Sequence, residues 1–169
     1  DNLIDPNSRN LLLITKGYLG PFLVDIIKAE LNKGKEESNQ IDPNYYIGSC
    51  FQKDDENAYV LKTINKFDTH LKNGHILVLQ GMTIIYAPLY DLFTKNFLEK
   101  DGKKYARISL GQSLGVFKEV HDKFKCIIIA DEEFIKNMES PFLNRFEKII
   151  FDFSNLLDDD EKKFAKDIY

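Results

Sequence analysis

Residues 139–151 read ESPFLNRFEKIIF and form the most specific segment of the chain. We expect a short helix that ends near Arg145, followed by an apolar strand over Ile149–Phe153. Arg145 is one of three arginines beside 20 lysines, and a planar guanidinium at a helix end can neutralise charge on a transferring phosphoryl group. A local ion pair with Glu139 or Glu147, or a position at the edge of the core, explains this arginine equally well.

Four further apolar runs precede this segment, and helical patterns alternate with them. The runs are Leu11–Thr15, Tyr45–Phe51, His75–Leu79 and Cys126–Ala130. Helices are expected from Pro21, from about Glu56, over Tyr86–Leu98, over Glu132–Asn137 and from about Ser154. This alternation predicts an α/β fold with a mainly parallel five-stranded sheet and helices on both faces. Tyr105–Leu110 and Val116–Val120 predict a small antiparallel hairpin inserted into it.

The turn after the first strand is where a doubly wound fold normally holds phosphate. It reads TKGYLGP over residues 15–21. A phosphate loop needs glycines at close approach and a Lys followed by Ser or Thr, and this turn lacks that spacing. The bulky Tyr18 and Leu19 also occupy the space where phosphate would lie. We therefore interpret it as an ordinary turn, with an unusual nucleotide loop around Lys16 as the alternative.

Carboxylates that hold magnesium and activate water usually follow an apolar strand. The run His75–Leu79 is followed by Gln80, Gly81 and Met82, which offer none. The run Cys126–Ala130 is followed by Asp131-Glu132-Glu133. Acidic residues also favour the first turn of any helix, so we interpret these three as helix capping.

Composition limits the function classes. The 169 residues are 43% hydrophobic, with 23 basic against 27 acidic side chains, so the chain can bury a core and has no field that would hold a nucleic acid. Cys50 and Cys126 lie in apolar runs and are expected to be reduced and buried. No leader or membrane span is recognisable, so we expect a cytoplasmic piece of a larger protein.

From these residues alone, three classes of protein remain open. An active hydrolase with an atypical phosphate loop would use Lys16 with Asp131 and Glu132. A small Rossmann-like or flavodoxin-like enzyme would bind an uncharged cofactor at the carboxyl ends of the strands. The chain could also be a plain interaction module. The three histidines are His70, His75 and His121. They have no metal-ligand or Ser-His-Asp spacing, so each is interpreted as a lone surface or core residue.

Taken in order, these segments resemble one AAA+ unit of the mysterin-type giant RING E3 ubiquitin ligases. Residues 141–151 resemble the P-x-L-x-N-R box of AAA+ proteins. The other supporting segments are residues 7–15 (NSRNLLLIT), 47–51 (IGSCF), 89–92 (LYDL), 104–105, 109–111 and 121–129, with Asn65, Leu71 and Gly74. The resemblance covers most of the chain.

The resemblance implies a three-layer αβα P-loop NTPase-like core over residues 1–153, with strand order 5-1-4-3-2. Residues 154–169 would begin a C-terminal helix that leads toward a lid or the next unit. His75–Leu79 would be the Walker B strand and Cys126–Ala130 the sensor 1 strand. Gln80 and Gly81 then occupy the positions of the acidic pair.

The resemblance also implies a function. The chain would be a catalytically degenerate unit that braces or transmits motion in a ring of such units, and Arg145 would be an arginine finger acting on a neighbour. No cofactor or metal is expected in this chain; ATP and Mg²⁺ would bind other units. Its partners would be neighbouring AAA+ units of the same polypeptide. Ubiquitin machinery would be reached through a parent that is an ATPase and E3 ligase.

Overall fold

A sheet of five parallel strands forms the centre of the chain. The computed structural model describes residues 2–3, 5, 7–17, 19–48, 56–109, 115–152 and 160. The strands are β1 (Asn10–Thr15), β2 (Asn44–Ile47), β3 (Ile76–Gln80), β4 (Phe97–Lys100), β5 (Lys103–Ile108), β6 (Val116–Val120), β7 (Lys125–Asp131) and β8 (Phe146–Phe151). The helices are α1 (Gly20–Asn32), α2 (Glu56–Asn73), α3 (Thr83–Tyr86), α4 (Tyr90–Phe93), α5 (Glu132–Lys136) and α6 (Ser140–Leu143), with a 3₁₀ turn at Glu37–Asn39.

The strand order of the central sheet is β2-β3-β7-β1-β8. Counted along the chain as five core strands, this is 2-3-4-1-5, which read from the other edge is the predicted 5-1-4-3-2. The α/β class and the parallel sheet are therefore confirmed. The jump from β3 to β7 leaves room for α3, α4 and a second small sheet between them in sequence.

Helices cover both faces of the sheet, which explains why the central strands β1, β3 and β7 are apolar except at their ends. The buried apolar residues of the two long helices are Leu23, Ile27 and Leu31 of α1 on one face, and Ile64, Phe67 and Leu71 of α2 on the other. Each set recurs at the helical spacing of three or four residues. The three-layer arrangement follows from these two stripes.

Asn10 joins the first strand to elements that come much later in the chain. Its buried side chain accepts a hydrogen bond from the backbone N–H of Cys126 at 2.9 Å. Its amide nitrogen donates to the carbonyl of Phe93 at 3.1 Å. Both ends of the amide are thus engaged, as a buried polar group requires.

The predicted hairpin is confirmed as β5 and β6, which pair antiparallel. A third strand, β4, pairs with the other side of β5. The resulting three-stranded sheet packs against α2, where Lys118 lies 3.2 Å from Asp68. Hydrogen bonds from Lys72 and Lys118, with Lys72 the larger cause, lower the pKa of Asp68 although burial opposes this.

The prediction of one helix over Tyr86–Leu98 is wrong. Two short helices, α3 and α4, occupy its first part and β4 its end. Pro88 lies between the two helices, where it has no N–H to continue the helical hydrogen bonds. Lys95 adopts φ of 56°, a left-handed conformation that ends the helical path.

Strand β8 begins three residues earlier than predicted, at Phe146 instead of Ile149. Phe146 is buried, whereas Ile149 and Ile150 are 41% and 70% exposed. Among the described residues β8 has a strand neighbour on one side only, β1. The apolar residues Ile149 and Ile150, which predicted this strand, are thus exposed at a sheet edge.

Some predictions fall outside the described residues. These concern Tyr18, Cys50 and the helix over residues 154–169, of which only Asp160 is described. Cys126 is a free, buried thiol, as predicted, and burial raises its pKa. In the described part of the chain, no helix has both the length and the apolar character needed to cross a lipid bilayer.

Candidate functional site

Three strand ends meet at the carboxyl edge of the central sheet. Strand β1 ends at Thr15, β3 at Gln80 and β7 at Asp131. Thr15 lies opposite Asp131 in the parallel register. This edge is where doubly wound folds bind ligands. The turn, the glutamine and the acidic residues that the sequence singled out therefore lie side by side.

The carboxylate of Asp131 closes the turn between β1 and α1. One of its oxygens accepts a hydrogen bond from the backbone N–H of Gly17 at 2.9 Å. The other accepts from the backbone N–H of Glu133 at 2.8 Å, so Asp131 is the N-cap of α5. These bonds, that from Glu133 first, lower the pKa of Asp131. Capping was the predicted role of this residue, and it is confirmed.

A pair of side chains occupies the space in front of α1. The hydroxyl of Tyr45 donates a hydrogen bond to the side-chain oxygen of Gln80. A Cβ atom added to Gly20, the first residue of α1, would overlap that oxygen and crowd the Tyr45 hydroxyl. Glycine at this position thus permits the close approach. Burial raises the pKa of Tyr45.

Lys16 lies at the same edge but is largely solvated. Its side chain is 73% exposed, and its nitrogen is 4.0 Å from the carboxylate of Glu132. The three residues that the hydrolase alternative required, Lys16, Asp131 and Glu132, are therefore close together. Asp131, however, already accepts two backbone hydrogen bonds, and Lys16 already has a carboxylate beside it.

A cavity of about 500 Å³ opens beside these residues. It lies at the carboxyl ends of β2, β3 and β7, and aliphatic and aromatic side chains form most of its wall. Its lining residues are Pro21, Tyr45, Ile47, Gly48, Gln80, Gly81, Tyr86, Ile129, Ala130, Asp131 and Phe134. We call it the edge pocket.

Arg145 follows α6, at the end of a short helix as predicted. Its guanidinium carbon lies 4.1 Å from the centre of the Tyr90 ring. One terminal nitrogen donates to the carbonyl of Pro141. Within the described residues its Nε is buried without an acceptor, and no ion pair with Glu139 or Glu147 occurs.

Aromatic rings connect this arginine to the edge pocket. Tyr90 lies 6.1 Å from Phe142, centre to centre. Phe142 stacks on Tyr86 at 5.4 Å, and Tyr86 lines the pocket. The packing is continuous from the guanidinium to the pocket wall.

Comparison with known proteins identifies the family. The model of the family described as "RNF213 AAA domain" matches residues 1–157. The chain belongs to the RNF213 AAA domain family. It is 27% identical over 165 residues to the human E3 ubiquitin-protein ligase RNF213, and 26% identical over 162 residues to the mouse protein. Zebrafish E3 ubiquitin-protein ligase rnf213-beta is 28% identical over 149 residues.

These alignments cover 97%, 95% and 88% of this chain, and 3% of each relative. The chain therefore spans a small part of the length of the curated relatives it matches. The resemblance to one AAA+ unit of a giant ligase is confirmed as family membership.

The sequence predicts some of the residues that form the site at the carboxyl edge of the central sheet. It named Lys16, Gln80 and Asp131, which the structure brings together. It missed Tyr45, because only the pairing of β2 with β3 moves that side chain next to Gln80. It also missed Gly20, although a glycine before Pro21 at a helix start is a signal for close approach.

The histidines of this RNF213 AAA domain were predicted to be isolated, and for two of them that is wrong. The Nδ1 atoms of His70 and His75 lie 3.1 Å apart, and the Tyr46 hydroxyl lies 2.8 Å from Nε2 of His70. Gly74 turns the chain between them with φ of 69°. Burial first, then the charge of His75, lowers the pKa of His70.

No group of three or more His, Cys, Asp or Glu suited to a metal ion occurs in the part of this RNF213 AAA domain that the structure describes. The His70–His75 pair is a hydrogen-bonded contact at the end of α2.

Proposed function

We propose that this RNF213 AAA domain is a catalytically degenerate AAA+ unit, a pseudo-ATPase that braces or transmits motion within a larger polypeptide. The observation that carries the proposal is the Tyr45–Gln80 pair against Gly20. It fills the space in front of the first turn of α1. In nucleotide-binding folds, the N–H groups at this helix start hold phosphate.

The β1–α1 turn supports the same conclusion. A bound phosphate needs free backbone N–H groups and a lysine directed toward it. Here the N–H of Gly17 already donates to Asp131. Lys16 lies beside Glu132 and is exposed. An anion entering the turn would have to displace the Asp131 carboxylate and would be repelled by it.

The end of β3 supports it as well. Magnesium in phosphoryl-transfer sites is held by hard oxygen ligands, usually with a carboxylate. Strand β3 ends in Gln80, whose side-chain oxygen accepts from Tyr45. Gly81 follows and has no side chain. The position that would supply carboxylates for magnesium and water thus offers only the side-chain amide of Gln80, which is already hydrogen-bonded to Tyr45.

Arg145 is proposed to act on the nucleotide of an adjacent unit. It lies just after α6, and the Tyr90 ring and the Pro141 carbonyl hold its guanidinium in place. Its Nε has no acceptor among the described residues. Because Nε is buried, a phosphate oxygen supplied from outside the domain would meet the terminal nitrogens of this preorganised guanidinium.

The parent polypeptide is proposed to be an E3 ubiquitin ligase, because the curated relatives have that name. A cytoplasmic location is part of the same proposal. In this proposal ATP and Mg²⁺ bind other units of the same chain. Neighbouring units contact this domain directly, and ubiquitin machinery is reached only through the parent.

Calorimetric titration of the 169-residue chain with ATP and Mg²⁺ tests the loss of nucleotide binding. We expect no saturable heat up to about 1 mM, the upper end of ordinary KM values. The matched variants are Lys16→Ala and Glu132→Gln. Magnesium-dependent binding that disappears in Lys16→Ala would support the hydrolase alternative and refute the proposal.

The role of Arg145 needs the longer polypeptide. Arg145→Ala is expected to reduce its ATP hydrolysis, by up to the order of 10³-fold if one site depends on this arginine. Arg145→Lys should restore little, because an ammonium lacks the fork of donors. Lys148→Ala removes a nearby exposed cation as the control. Unchanged hydrolysis in a folded Arg145→Ala protein would exclude a finger role.

A further inference from the structure

We propose that the edge pocket binds an uncharged, planar organic molecule of at least bicyclic size that presents a hydrogen-bond acceptor. Its volume of about 500 Å³ lies within the usual range for small-molecule sites. This goes beyond the proposed function and rests on it in one respect, namely that no nucleotide occupies the same edge.

The shape of the pocket favours a flat ring system. Tyr45, Tyr86 and Phe134 supply aromatic surface from three different elements. At Gly48 the wall is backbone, because a Cβ atom there would overlap the carbonyl oxygen of Gly81. The N–H of Gly48 also donates to the carbonyl of Gln80 at 2.8 Å. Aromatic side chains beside a closely packed backbone suit stacking of a planar ligand.

The charges around the pocket exclude an anion and do not call for a cation. Among the described residues of its lining, Asp131 is the one with a charged side chain, and it repels negative groups. Both of its oxygens already accept backbone N–H bonds, so much of its capacity to hold a cation is used. A charged group would also lose hydration in a mostly apolar wall. A neutral ligand therefore fits the charge and polarity of this lining best.

Tyr86 supplies a hydrogen-bond donor. It is buried, and its hydroxyl oxygen accepts from the backbone N–H of Met82 at 3.3 Å. Among the described residues, the hydroxyl proton meets no acceptor. Buried donors in native proteins are normally paired. Since Tyr86 lines the pocket, an acceptor such as a ligand carbonyl satisfies it.

Three small bicyclic probes test the charge and acceptor requirements by amide chemical-shift titration of the 169-residue chain. Coumarin is neutral, planar and bicyclic with a carbonyl; coumarin-3-carboxylate adds an anion, and indole lacks an acceptor. We expect coumarin to shift the amides of Gly48, Gly81 and Ala130 with a dissociation constant on the order of 1 mM. Coumarin-3-carboxylate should bind at least tenfold more weakly.

Two variants link the binding to the pocket. Tyr86→Phe should weaken coumarin roughly two- to tenfold, the usual effect of one hydrogen bond, and leave indole unchanged. Phe134→Ala should weaken the binding of both probes. Phe117→Ala, which removes an exposed aromatic ring on β6, should leave their binding unchanged. Tyr86→Phe retains the ring, so the test holds even if Phe134→Ala fails to fold.

The inference is overturned if coumarin gives no saturating shifts, if its shifts centre elsewhere, or if coumarin-3-carboxylate binds equally well. It is also overturned if Tyr86→Phe affects indole and coumarin alike. None of these results bears on ATP, which the calorimetric titration measures separately. Binding of ATP would refute the proposed function even if coumarin bound as expected.

Discussion

The backbone N–H of Gly17 donates a hydrogen bond to the carboxylate of Asp131 across 2.9 Å. Gly17 belongs to the turn after the first strand, and Asp131 is the last residue of β7. One side chain thus caps α5 and holds the turn in which a nucleotide-binding relative would hold phosphate. The contact has consequences for both stability and ligand access.

Asp131→Ala should destabilise the domain, because it removes the cap of α5 and the acceptor for Gly17 together. The ratio of unfolded to folded protein should rise roughly five- to thirtyfold, as is usual when an N-cap is lost. Urea unfolding followed by circular dichroism measures it. Glu132→Ala, which removes the neighbouring half-buried carboxylate, should change the midpoint little. Equal effects of the two variants would show that the Asp131 contacts do not stabilise the fold.

Gly48→Ala should separate the ends of β2 and β3. The added methyl would overlap the carbonyl of Gly81, and a backbone atom cannot rotate away as a side chain can. We expect a loss of about 2 kcal/mol in the free energy of unfolding and faster hydrogen exchange of the residue 48 amide. Gly34→Ala, where the added methyl meets no atom but the backbone has φ of 75°, is the control for backbone strain without a steric overlap. The residue 48 amide should keep its exchange rate in Gly34→Ala. Unchanged exchange of this amide in Gly48→Ala would contradict the prediction.

The His70–His75 pair predicts a stability that declines with acidity. The folded-state pKa of His70 is lowered from 6.5, so below about pH 6.5 the unfolded chain takes up a proton that the folded chain refuses. The free energy of unfolding therefore falls as the pH drops from 7.5 toward 5. His70→Gln should flatten this dependence, and His75→Gln should flatten it partly by removing the like charge. An unchanged pH profile in His70→Gln would count against this account.

Lys125 predicts a second dependence at alkaline pH. It is buried, and burial, followed by the charge of Lys95, lowers its pKa to about 8 from 10.5. Its nitrogen donates to the side chain of Ser8 and to the carbonyl of Asp5. Between about pH 8 and 10.5 only the unfolded chain holds the extra proton, so stability contributed by Lys125 rises with pH.

The comparison of the original chain with Lys125→Met measures this contribution. Relative to the variant, the original chain should gain stability in urea unfolding when the pH is raised from 7 to 9.5. Lys123→Met, at an exposed lysine two residues earlier, should leave the pH response as it is in the original chain. A constant difference between the original chain and Lys125→Met would refute the shifted titration.

The core strands could be predicted because burial on both faces leaves a simple signal. Strands β1, β3 and β7 were each predicted within one residue at either end, since a strand covered by helices on both sides has no polar face. Strand β8 was misplaced by three residues at its start. Its apolar residues Ile149 and Ile150 are exposed, so hydrophobicity was a poor guide at the edge of the sheet.

The region of Tyr86–Leu98 shows where periodicity fails. Aromatic and apolar residues three or four apart suit a helix, yet Pro88 and the left-handed Lys95 divide the segment. Pro88 was the feature of the sequence that indicated a break in this helix. The pairing of Tyr45 with Gln80, and of His70 with His75, could not be predicted by the same means, because both depend on how distant or reversing segments pack.

The contacts of Asn10 have a consequence for synthesis on the ribosome. This residue bonds to Cys126, 116 positions later, and β1 takes its two sheet neighbours from β7 and β8. At typical elongation rates β1 waits about 10 s for those partners to be translated. During that interval its five consecutive apolar or β-branched residues have no native strand beside them, so the nascent chain is a natural client for chaperones until β8 emerges.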